Sequence, residues 1–134
     1  MMKPMAVRVM LFIASITVSG GVSAKDIVVG GAFECESTQA MRIEPVQERY
    51  EQESKQKFTV LIDEASIRFL SKVGGYLNEV SMQKQYHQDH LLSAYASNGA
   101  FSLERTQNRK RFRFHYVDAM FSRSFVMFGY CSGY

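Results

Sequence analysis

Arg111-Phe112-Arg113-Phe114-His115-Tyr116 alternates charged or polar residues with aromatic ones, and the same two-residue period runs through most of the chain beyond residue 56. Successive side chains of a β-strand point to opposite faces, so this period predicts strands with one apolar and one polar face. Phe58, Val60 and Ile62 share a face, and Val80 and Met82 lie opposite Glu79, Ser81 and Gln83. Gly31–Glu36, Lys57–Ile62, Ser66–Leu70, Tyr76–Tyr86, Leu91–Ala96, the residues after Gly99, Arg111–Ala119 and Ser124–Cys131 are the strand candidates.

The connections between them are short. Asp63-Glu64-Ala65, Gly74-Gly75, His87-Gln88-Asp89-His90 and Gln107-Asn108-Arg109-Lys110 read as turns or bends. Asn98-Gly99 carries the strongest hairpin signal, because Asn-Gly accepts the positive φ values of a type I′ turn. The exception is Ser37–Gln56, polar and charged, which reads as a loop with one short helix over 44–56 started by Pro45 and supported by an Arg49–Glu53 pair. The fold class expected is all-β: about eight antiparallel strands in a meander, closed into a small barrel or bent sandwich because open edges invite aggregation.

Residues 1–24 read as a cleaved secretory signal peptide. Lys3 and Arg8 precede a short apolar run, and Val22-Ser23-Ala24 supplies small residues at the cleavage site. The run is too short for a bilayer-spanning helix, and no later stretch is long enough, so no transmembrane segment is expected. Residues 25–134 then form a single β domain, placed in the periplasm or secreted. Two cysteines in an exported chain favour one disulfide, Cys35–Cys131, and pairing of the first and last strands would bring them within reach. No Cys-x-x-Cys pattern argues for redox or metal chemistry at these sulfurs.

Lys57-Phe58-Thr59-Val60-Leu61-Ile62-Asp63, Leu103-Glu104-Arg105 and the ending Phe128-Gly129-Tyr130-Cys131 resemble features of small exported bacterial β-meander proteins in which an early cysteine and a terminal Gly-x-Cys flank the sheet. That group is mainly of unknown function, so the resemblance implies the fold and supplies no active site.

Formal charge splits along the chain. Lys25–Glu64 carries −4 and Ala65–Tyr134 carries +5, which suggests opposite patches or attraction that cancels on folding. Arg105, Arg109, Lys110, Arg111 and Arg113 form the candidate binding stripe for an anion or a partner surface. The competing reading is a solvated face over buried rings, and the same burial removes the stacking platform that single-stranded nucleic acid needs. His87, Asp89 and His90 are metal-ligating residue types in one turn, but their spacing matches no metal motif, so no metal site is assigned. No Gly-x-Ser-x-Gly turn or Gly-rich phosphate loop is present, and a triad of a distant serine with His115 and Asp118 has nothing to favour it. No catalytic residue and no cofactor are expected.

These observations favour a non-catalytic binding protein of the bacterial envelope, a monomer or weak oligomer. Its partner would be an envelope protein or an anionic glycolipid or polysaccharide, not nucleic acid. Two alternatives stand beside it: a lipocalin-like carrier of a small hydrophobic ligand, which requires an empty interior, and an inhibitor of a secreted hydrolase such as lysozyme. Lysozyme-inhibitor barrels share the size and cysteine usage, but their Ser-Gly and Trp-x-Lys-Gly patterns are absent, and Ser97-Asn98-Gly99 only loosely resembles the first.

Overall fold

The alternating segments form nine antiparallel strands, and eight of them close into a barrel. The computed structural model describes residues 26–71, 80–108, 111–119 and 123–133. The strands are β1 (Ala32–Glu44), β2 (Arg49–Gln52), β3 (Lys57–Ile62), β4 (Ser66–Ser71), β5 (Val80–Gln88), β6 (Leu91–Ala96), β7 (Gly99–Arg105), β8 (Phe112–Ala119) and β9 (Ser124–Gly133). Each strand from β3 onward pairs with the next, β3 pairs with β1, and β9 returns to pair with β1. β2 stays outside the closed ring, attached to the far end of β1. The expected signal peptide, the Gly74-Gly75 bend, Arg109 and Lys110 lie outside the described residues.

The closing seam is where the cysteines meet. Cys35 and Cys131 are directly opposed in the β1–β9 ladder and joined by a disulfide. The same ladder has one irregularity, between Phe128 and Gly129, where β1 carries an extra residue at Thr38. The Thr38 hydroxyl donates to the Phe128 carbonyl at 3.2 Å. Gly129 permits this close approach: a Cβ there would lie 2.2 Å from the Glu36 carbonyl oxygen and 2.6 Å from the Ser37 Cα.

Ser37–Gln56 departs from the loop-and-helix expectation. β1 continues through it to Glu44, a single 3₁₀ turn spans Pro45–Gln47, and Glu48 (φ 54°) turns the chain back into β2. Arg49 pairs with Glu44 and Glu53 with Arg42, so the helical Arg49–Glu53 pair does not form. The returning chain passes from β2 to β3 opposite the Thr38 bulge, where buried Ser37 holds Gln56 through both its amide and its hydroxyl. The Asn98-Gly99 hairpin is present but shifted by one residue. Ala96 pairs with Gly99, the turn residues are Ser97 and Asn98, and neither has a positive φ. Gly99 is needed instead for proximity, since a Cβ would meet the Val117 carbonyl at 2.7 Å.

Inward positions are filled with rings. Phe33 meets Phe112, Phe58 meets Phe114 and Phe69 meets Phe101 edge-on, at centroid distances of 5.2, 5.1 and 5.0 Å. Ile62, Ile67, Leu92, Leu103, Phe125 and Met127 complete the layers, all fully buried. Edge-to-face contacts of this kind add to the burial energy of each ring and fix its orientation.

The mouth at the β3–β4, β5–β6 and β7–β8 turns is closed by the segment before β1. Ile27 is 1% exposed and its amide donates to the Asp89 carbonyl at 2.9 Å. Its carbonyl accepts from His87 Nε2 at 2.8 Å, while Lys84 donates to His87 Nδ1 at 2.9 Å. An ammonium can only donate and a carbonyl can only accept, so the ring is the neutral Nε2–H tautomer. Arg105 completes the latch by binding the Asp26 carboxylate while lying over the Phe112 ring at 5.5 Å.

Candidate functional site

β8 divides its residues as the alternation requires. Phe112, Phe114 and Tyr116 are buried; Arg113 and His115 face outward, and Arg111, just before the strand, is exposed on the same side. The Arg111 guanidinium carbon stands 3.6 Å from the centre of the Tyr130 ring, a cation–π contact that fixes its direction. Arg113 lies 4.0 Å from the Glu104 carboxylate. Strand register sets Glu104, Arg113, Tyr130, Glu36 and Lys57 side by side across β7, β8, β9, β1 and β3. Charges of both signs therefore alternate along this row.

Of the five residues expected to make a basic stripe, Arg111 and Arg113 are on this face. Arg105 is not. Phe101, Leu103 and Arg105 share the inward side of β7, and the Arg105 side chain is only 17% exposed at the plugged mouth. Arg109 and Lys110 fall outside the described residues.

Beside the charged row runs an apolar one that the sequence did not disclose. Tyr95, Ala100, Val117, Val126 and Met41 are direct neighbours across β6, β7, β8, β9 and β1, all on the outside. Between the two rows lie Ser93, Ser102, His115 and Phe128, with the His115 and Phe128 rings 6.2 Å apart. Tyr95, Val117 and Phe128 are 45%, 42% and 38% exposed. A shallow depression of about 240 Å³ opens here, its outward rim formed by Gln85, Ser93, Ser102, His115, Val117 and Val126. The missed signal lay in β9, where the outward Val126 and Phe128 are as apolar as the buried Phe125 and Met127 beside them.

No match to this chain emerges from comparison with protein-family models, curated proteins or solved structures. Its chemistry must be read from its own surfaces.

The remaining candidates are dispersed. His87 has both ring nitrogens engaged in the latch, and Asp89 contributes its carbonyl to the same latch. Among the described residues no group of three His, Cys, Asp or Glu side chains converges as a metal site would. His115 faces outward, whereas the Asp118 carboxylate accepts a 2.8 Å hydrogen bond from the inward-facing Tyr116, so these two do not form a catalytic pair. Burial, reinforced by the bond and charge of Asp118, pushes the Tyr116 phenol well above the usual tyrosine range.

That shift has a measurable sign. The folded phenol keeps its proton after the unfolded chain, titrating near about pH 10, has released it. Its stabilising contribution is complete below that pH and is lost as pH rises towards the folded value. Urea midpoints for the native protein should fall between about pH 9.5 and 11 by more than those of Tyr116→Phe; parallel declines would refute the assignment.

At the opposite mouth, Arg42 binds Glu51 and lies 3.4 Å from Glu53, and Arg49 Nε donates to Glu44 at 2.5 Å. The Arg49 bond holds the Glu44 carboxyl below its ordinary range. No helix among the described residues is long and apolar enough to cross a membrane.

Proposed function

We propose that the protein is an exported, non-catalytic binding protein that docks an envelope partner protein on the outer face of β6–β9 and β1. The observation that carries this reading is the apolar row Tyr95–Ala100–Val117–Val126–Met41, bordered by the mixed-charge row through Glu104, Arg113, Tyr130 and Glu36. An apolar centre with a charged rim is how protein interfaces are built. The five strands wrap halfway round the eight-stranded ring, so the part of the row that faces one partner is its centre, Ala100–Val117–Val126, about 10 Å across and suited to a small interface. A polyanion fits less well, because Glu104 and Glu36 interrupt the positive charges. The carrier alternative loses its support to the rings that fill the interior.

The disulfide is consistent with an oxidising compartment. Val117→Lys places a charge at the centre of the apolar row on a side chain that already faces water. With partner captured from envelope extract and identified by cross-linking, this variant should bind at least about 30-fold more weakly, the loss expected for an interface hot spot. Arg111→Glu with Arg113→Glu should weaken binding about 10-fold, chiefly by slowing association. Thermal transitions should stay in place. Binding equal to the native protein in both variants would overturn the reading.

A further inference from the structure

Barrel closure removes sheet edges, yet one remains among the described residues: the outer side of β2, the terminal strand of the sheet order. An exposed edge is a template for another strand. We propose that β2 pairs antiparallel with β2 of a second copy, forming a two-fold symmetric dimer.

The sequence Arg49-Tyr50-Glu51-Gln52 selects one register. Residues facing each other across a sheet must lie on the same side of it, so a two-fold axis can pass through a residue but not between two. Centred on Arg49 it would oppose two guanidiniums, centred on Glu51 two carboxylates, and centred on Gln52 it would set Glu51 against the second copy's Glu53. Centred on Tyr50 it sets Arg49 against the second copy's Glu51 twice over and stacks the two Tyr50 rings. Opposite charges directly across a ladder stabilise it and like charges do the reverse.

The side chains concerned are accessible. Tyr50 is 72% exposed, and the Arg49 and Glu51 side chains are 56% and 45% exposed although each already has an ion-pair partner within its own chain. Tyr50 also lies across from Ile43 on the outer side, so the pairing extends apolar surface from one barrel towards the other. Four residues per copy make a small interface, so the dimer is transient and salt-sensitive.

Sedimentation equilibrium at rising concentration tests it. The native protein should be monomeric near about 10 µM and substantially dimeric near about 500 µM at low salt, a dissociation constant on the order of 100 µM. Arg49→Glu and Glu51→Arg should each weaken self-association about 10-fold or more, and an equimolar mixture of the two variants, which restores both opposite-charge pairs across the axis, should recover most of it. Tyr50→Lys touches only an exposed side chain, preserves the thermal transition and should leave a monomer. A native protein monomeric throughout, a dimeric Tyr50→Lys, or a mixture of the two charge variants that associates no better than either alone would overturn the proposal. Val117→Lys should dimerise normally, which separates this edge from the partner face.

Discussion

Phe69→Ala should destabilise the barrel by about 4 kcal/mol, within the range measured for removing a buried ring. Phe69 is fully buried at the junction of the aromatic network, contacting Phe58, Phe101 and Tyr116. Its loss removes the transfer energy of the ring and opens a void that the surrounding strands cannot fill, because their backbones are tied around a closed circuit. For a domain of this size the melting temperature should drop by roughly 15–25 °C. The cavity should also stay dry and accept a small apolar guest such as benzene, which would raise the variant's melting temperature and leave the native protein's unchanged. A loss below about 1 kcal/mol would mean that the interior is loosely packed, and would restore the carrier reading.

Removal of the disulfide is the second large effect. Cys35→Ala with Cys131→Ala frees a link spanning 96 residues, for which the chain-entropy model gives up to about 4 to 5 kcal/mol and engineered cases often less. A loss of about 3 kcal/mol is expected here. The β1–β9 ladder continues on both sides of the cysteines, from Phe33 to Ile43, so the seam keeps its hydrogen bonds when the sulfurs are gone. The unlinked variant should therefore retain the circular dichroism of the native sheet at 25 °C and unfold at lower denaturant with a steeper slope, because its denatured chain is less compact. Loss of the sheet signal at that temperature would show that the ladder alone cannot close the barrel.

Much of this architecture was legible in the alternation of residues, and the failures have physical causes. Leu91–Ala96 was bounded correctly because one face of it is buried and turns flank it. β1 was cut short because the Thr38 bulge resets the phase: Phe33, Cys35 and Ser37 face inward, and the next buried residue is Ala40. Beyond the bulge the strand projects past the core, so its inward residues Arg42 and Glu44 are charged and lose the apolar half of the pattern. Gly99 was recognised as special for the wrong reason, since its service is to a neighbouring strand and not to its own φ. The outer apolar row could not be read locally, because its members come from five strands and become neighbours only through register. Arg105 was readable. Its alternation with Phe101 and Leu103 placed it inward, but the clustering of cations around it drew attention to charge instead of phase.

The return of β9 to β1 also dictates when this chain can fold. Phe33 is laid against Gly133, so the first strand waits for the last. The barrel cannot close before β9 is made, and a half-made sheet offers the partner-seeking edges of β1 and of whichever strand has just formed. Such end-to-end contacts place the protein among slow, high-contact-order folders. Whatever cell makes it must keep the earlier strands from pairing with other chains until β9 is free to join β1.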